Sequence, residues 1–290
     1  MKNILRLTTI ARAGAVVGFV LVSAASAVNA QQKAPAGSAE TRTITAIVHQ
    51  FYGDSIVPDR SVILTKRYAA LLDTTPTPGA IMPRGTRLVI REISRDSAHA
   101  VYETESGPEK QFADWYTYLV RDGGKWKIDN VRIYELPPSH FIILDSLDAK
   151  KTLSDTLTWL RERMHLSAGT NAELKAHFSA HKAGILKLAT DFESRTTLSA
   201  IDESGQTAPE NALPDADKKA LTAELHAVQL GAALRNMSAL QCVRYKIGGI
   251  EQTTVGYMHF KATCPMPVAG VDDVIYMERV APDWYLYRTG

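Results

Sequence analysis

Asp114 to Glu135 reads DWYTYLVRDGGKWKIDNVRIYE, two aromatic and β-branched runs on either side of Asp122-Gly123-Gly124. Such runs around a glycine pair predict an antiparallel hairpin, because glycine adopts the left-handed backbone that tight hairpin turns need. A three-residue loop sets Arg121 opposite Lys125, Val120 opposite Trp126 and Tyr118 opposite Ile128, giving one apolar face. Beyond Asp129 the apolar phase slips, since Val131 and Ile133 are apolar where alternation would place Asn130 and Arg132. One extra residue near Asp129–Asn130, a β-bulge, restores the phase and bends the strand. The expected buried face is then Tyr118, Val120, Trp126, Ile128, Val131 and Ile133.

Upstream the period changes. From Thr41, Ile44, Val48 and Phe51 recur at four and three, with Ile47 and Tyr52 widening the stripe, and predict a helix ended by Gly53-Asp54. Pro58-Asp59 opens a second helix carrying Leu64, Tyr68 and Leu71, and the run TTPTPG from Thr74 stops it. Thr86–Ile93 and Ser97–Glu105 then read as strands, with a turn at Ser106-Gly107-Pro108. Helices followed by about four antiparallel strands make an α+β pattern.

With these residues in hand, 41–135 resembles the nuclear transport factor two-like superfamily, in which N-terminal helices pack on a curved antiparallel sheet. The resemblance rests on Trp115, Tyr116, Tyr118, Asp122, Gly123, Gly124, Trp126 and Ile128. It implies a cone-like pocket between sheet and helices, and a homodimer through the sheet. Enzymes of that superfamily use an Asp or His base with Tyr donors, which makes His99, Asp114, Tyr116 and Tyr118 the catalytic candidates here. Tyr102, Tyr118, Trp126 and Ile128 are the ligand-pocket candidates. The fold alone implies no chemistry, and each candidate has a plain structural reading: a surface ion pair for Asp114, core packing for the tyrosines.

Leu136-Pro137-Pro138-Ser139 breaks the sheet pattern, so 136–145 reads as a linker to a second α+β domain over 146–290, for which no resemblance is found. That half opens with helices: Leu153, Leu157, Leu160 and Met164 behind Ser154, then Leu174 to Phe192 behind a Thr170–Glu173 capping box. Residues 195–214 read as a loop. A helix from Pro214-Asp215 is expected to carry Leu221, Leu225, Val228 and Ala232 and to stop at Asn236. Strands over 239–247, 254–263, 271–280 and 284–288 complete a meander of three or four.

His181 sits in the apolar stripe of the long helix and His177 lies one turn earlier at its solvent boundary. Two imidazoles at i and i+4 can share an ion, but without a third ligand at recognisable spacing neither a metal nor another cofactor is expected. Cys242 and Cys264 are the only cysteines. In an oxidising compartment such a pair is expected to be bridged; two buried thiols packing as small apolar groups are the other reading.

That compartment is read from the N-terminus. Lys2, Arg6 and Arg12, an apolar run over Ala13–Val22 and the small-residue site Val28-Asn29-Ala30 resemble a secretory leader over 1–30. Cleavage near Ala30 would leave 31–40 as a linker and a periplasmic or secreted chain with no transmembrane anchor. Three of the 33 Lys and Arg lie in the leader and no acid does, leaving 30 bases against 31 acids. That balance, without a basic block, disfavours nucleic acid as a partner. Two functional classes remain. One is a non-enzymatic exported protein binding a small apolar ligand or an envelope protein in its cone or inter-domain cleft. The other is a cone-type lyase or isomerase using Asp and Tyr.

Overall fold

The structure is a computed structural model and describes residues 38–53, 59–72, 76–81, 88–106, 113–207, 213–235, 242–250, 252–260, 270 and 273–290. The expected leader, the Gly107-Pro108 turn, the Asn236 stop and Cys264 lie outside those residues. Two open antiparallel sheets with helices packed on them make an α+β fold.

In the first sheet β1 (Val89–Arg95), β2 (His99–Ser106), β3 (Ala113–Asp122) and β4 (Lys125–Glu135) pair in chain order. The hairpin turns over Gly123-Gly124 alone, at φ 59° and 79°. A two-residue turn with both residues left-handed matches the strand twist better than the three-residue loop read from the sequence. Asp122 therefore pairs with Lys125, Arg121 with Trp126 and Leu119 with Ile128, one place away from the expected register. The bulge is where the phase slip puts it: Asn130 pairs with Tyr118, leaving Asp129 as the extra residue.

The changed register turns β3 over. Thr117 and Leu119 join Trp126 and Ile128 on the helix side, whereas Tyr116 and Tyr118 point to the other face. Tyr118 and Val120, expected on the buried face with Trp126 and Ile128, therefore lie on the opposite side of the strand, and Val131 and Ile133 are half-buried. Arg132 is half-buried too, with its guanidinium donating to the Gly290 carbonyl.

α1 (Ala39–Tyr52) is capped by the Ser38 hydroxyl, which accepts the Thr41 amide at 3.1 Å, and it buries Ile44, Val48, Phe51 and Tyr52. The second expected helix is broken into a 3-10 turn, Arg60–Val62, an extended piece, and α2 (Lys66–Leu71). The extended piece bridges Leu64 to Ile128: Thr65 N–H donates to the Ile128 carbonyl at 2.9 Å, and Ile128 N–H to that of Ile63 at 2.8 Å. Edge strand β4 has backbone groups to satisfy, and pairing them outweighs one more helical turn. A short α3 (Pro78–Ile81) follows the proline run and packs on α1.

The stretch expected as a linker is mostly helix, α4 (Pro138–Asp148). Its two prolines start it rather than break it, because a proline in the first turn lacks only an N–H that has no helical partner there. α5 (Asp155–Ser167), α6 (Asn171–Ser194) and α7 (Asp215–Ala227) follow, with Ser154 capping α5 and the full Thr170–Glu173 capping box on α6. α7 ends earlier than expected, at the Val228 cap, and Gln229 turns the chain at φ 54°. Ala232 and Leu234 consequently lie in a strand.

The second sheet has six strands, not three or four. Its order is β5 (Ala200–Asp202), β6 (Ala232–Arg235), β7 (Val243–Ile250), β8 (Thr253–His259), β10 (Trp284–Thr289) and β9 (Val274–Ala281). The two unforeseen strands span three and four residues, too short to display a period of two. α6 lays Phe178 against this sheet, its ring 5.0 Å from Tyr257 and 5.6 Å from Trp284. Tyr116, Tyr134 and Leu136 belong to the same core, so the second half covers the outer face of the first sheet. The resemblance implied a homodimer through this sheet; here one of its faces is covered by the same chain. No described helix is long and apolar enough to cross a membrane.

Candidate functional site

The space between the first sheet and its helices is filled by side chains. Phe51, Tyr52, Leu64, Tyr102 and Ile128 are each at most 2% exposed there. The Tyr102 hydroxyl donates to Glu92 at 2.7 Å and that of Tyr52 meets Thr117 at 2.8 Å. One end is closed by a polar cluster in which buried Arg95 pairs with Glu40 at 3.3 Å and Glu92 at 3.5 Å. Trp126 donates to Glu40 at 2.8 Å, and that bond, with Arg121 and Arg95 beside it, holds the Glu40 carboxyl below its ordinary range. Of the pocket candidates, Tyr102, Trp126 and Ile128 are therefore packing residues. His99 is exposed at a strand end, 3.6 Å from Asp96.

Asp114, Tyr116 and Tyr118 come together on the opposite face, against the second half. Arg288 on β10 meets Asp114 at 3.0 Å with both side chains nearly sealed, at 1% and 5% exposure. The same guanidinium donates to Asn171 at 2.9 Å and to the Gly169 carbonyl at 2.7 Å, and lies 4.2 Å above the Tyr134 ring. Tyr116 donates to Glu103 at 3.1 Å, Asn171 donates to the same carboxylate, and Arg91 pairs with it at 2.8 Å. Burial raises the Asp114 carboxyl, against the pull of Arg288 and Arg91, and lifts Tyr116 well above its ordinary value. Tyr118 donates to the Ile275 carbonyl. Two carboxylates matched by two guanidiniums, with Tyr116 spent on Glu103 and Tyr118 on a backbone carbonyl, form a polar joint between the two sheets.

His177 and His181 lie together on one face of α6 with ring centres 4.5 Å apart and planes tilted by 32°, but His177 is the buried one and His181 is half-buried. β8 lies beneath His177, whose Nδ1 is 2.8 Å from the Tyr257 hydroxyl. That hydroxyl donates onward to the Leu174 carbonyl at 2.8 Å, so Nδ1 carries the proton and donates. Burial, with His181 beside it, brings the His177 pKa from 6.5 down to about 4. The unfolded chain then binds a proton that the folded one does not, and stability from this group is lost as pH falls from about 6.5 towards 4. His177→Phe should flatten that part of a plot of urea midpoint against pH; an unchanged slope would refute the assignment. Among the described residues no three His, Cys, Asp or Glu are placed to hold a metal ion. Cys242 is disulfide-bonded, and Cys264 is the other cysteine in the sequence.

A cleft of about 560 Å³ opens between α4, α5 and the start of α6. Phe141, Leu144, Leu166 and Ala168 supply its apolar surface, while Asp145, Asp148, Glu162, Glu173, Arg161 and His165 supply its charges. His165 Nε2 bonds Asp148 at 2.9 Å across the gap between α4 and α5. The sequence reading does not bring these residues together as one site. The available signal was the spacing Phe141, Leu144, Asp145, Asp148, which follows one helical face, but the proline pair before it obscured the helix. No protein family, no curated protein and no solved structure matches this chain.

Proposed function

We propose that this is an exported, non-enzymatic binding protein that holds a small ligand in the cleft between α4, α5 and α6. The observation that carries the reading is the contrast between two sites. The cleft, at about 560 Å³ with an apolar floor and several polar groups, has the size and lining of a small-molecule site. The sheet–helix interior, which a cone-type lyase needs open, is filled. Export rests on the leader-like residues 1–30. The nuclear transport factor two-like reading of the first half is supported by helices on one face of a four-stranded sheet whose last strand carries a bulge at Asp129, with the binding role moved from the cone to the cleft.

Native mass spectrometry of protein recovered from its own envelope tests this. The expected spectrum carries a mass excess over the polypeptide, lost in Phe141→Ser while that variant still melts cooperatively. A wild-type protein at the bare polypeptide mass would count against the proposal.

A further inference from the structure

We infer that the ligand of this cleft is an amphiphile with a cationic head, a long-chain ammonium compound being the chemical class. The inference rests on the cleft being the binding site and adds the nature of its occupant. Phe141, Leu144, Asp145 and Asp148 lie at i, i+3, i+4 and i+7 of α4, a single stripe two turns long. The wall they form is apolar at its start and acidic at its end. A molecule lying along it meets hydrocarbon first and carboxylate second.

The charge around that wall is unbalanced. Asp145, Asp148, Glu162 and Glu173 face one guanidinium, Arg161, and one imidazole, His165. Three of the acids are hydrogen-bonded: Asp148 to His165, Glu162 to the Gln229 amide at 2.8 Å, and Glu173 to Thr170 at 2.7 Å and 2.9 Å. The Gln229 and Thr170 donors are neutral, so they orient Glu162 and Glu173 without cancelling their charge. Asp145 is exposed and has no partner among the described residues. An excess of negative charge over an apolar floor concentrates the field and draws a cation.

The placement of these acids also runs against helix stability. α4 has no acid in its first turn and no base in its last, yet Asp145 and Asp148 occupy that last turn, at the negative end of the helix dipole. A cation seated there offsets both the acids and the dipole. Ile142 and Ile143, 69% and 48% exposed, continue the apolar surface along the outside of α4, where a chain longer than the cleft would lie.

The test is calorimetric titration at low ionic strength with three probes below their micellar concentrations: decyltrimethylammonium, decanol and decyl sulfate. The expected result is one site for the ammonium compound, about tenfold tighter than decanol, with no binding of the sulfate. Asp145→Asn with Asp148→Asn should weaken the ammonium compound about five- to tenfold and leave decanol unchanged, and salt should act in the same direction. If all three probes bind alike and lose affinity together in Phe141→Ser, the cationic preference is wrong and the cleft remains the site. If none of the three binds, the cleft reading itself falls.

Discussion

Arg288→Ala is expected to destabilise the fold by about 3–5 kcal/mol, the usual penalty for breaking a sealed ion pair from one side. The substitution strands the Asp114 carboxylate at 5% exposure, removes donors to Asn171 and Gly169, and takes the cation off the Tyr134 ring. The loss depends on pH in a definite direction. Burial has already raised Asp114, so the folded state keeps a proton that the unfolded chain releases, and the contribution of this group falls as pH rises through the folded value. Without Arg288 the folded value climbs further. The difference between wild type and variant should therefore be largest near neutral pH and shrink in acid, where Asp114 is protonated and neutral. Urea titrations of both proteins at several pH values measure this, and a pH-independent difference would refute the assignment. Arg288→Met combined with Asp114→Leu should regain most of the loss, since an apolar pair of similar volume leaves no unpaired carboxylate behind, Glu103 keeping Arg91.

Gly256→Val is the second large effect, expected at about 3 kcal/mol or more. A Cβ at 256 would lie 2.2 Å from the Tyr245 carbonyl oxygen and 2.9 Å from the Lys246 Cα. Both contacts are backbone, so no rotamer change relieves them. The crowding has a visible origin: β7 bulges opposite this point, with Ile247 unpaired between Lys246–Gly256 and Gly248–Val255. β8 lies inside the sheet between β7 and β10, and neither neighbour can withdraw without losing its ladder. Gly124→Ala is the matched control. It meets nothing within 4 Å and bears only the strain of φ 79°, which amounts to about 1 kcal/mol. Thermal melts of the two variants should therefore separate clearly; equal shifts would mean that the contact at β7 is relieved in some other way.

The hairpin, its bulge and the capping box were legible because each depends on residues close in sequence. The phase slip after Asp129 located the extra residue correctly. Register was not legible, since two- and three-residue loops both suit Asp-Gly-Gly and differ only in which backbone angles the glycines take. The exchange of roles between His177 and His181 has a tertiary cause: a helical stripe gives the spacing of apolar residues, whereas the position of Tyr257 decides which histidine it covers. Asp114 was read as a surface ion pair because its partner lies on the final strand, and no local pattern joins residue 114 to residue 288. The cleft escaped notice for a related reason. Three helices line it, each unremarkable alone, and the first was hidden behind Pro137-Pro138.

Because β9 and β10 complete the outer face of the first sheet, the order of synthesis matters. Tyr118 waits for the Ile275 carbonyl 157 residues later, and Arg132 for that of Gly290 158 residues later. Closures of that length are slow, and until they happen Tyr116 and Tyr134 stay uncovered and Asp114 unneutralised. A nascent chain that has made its first sheet is thus still unable to settle. Tight folding of the first sheet therefore waits for the last two strands, and the N-terminal half of the fold is finished by residues from the far end of the sequence.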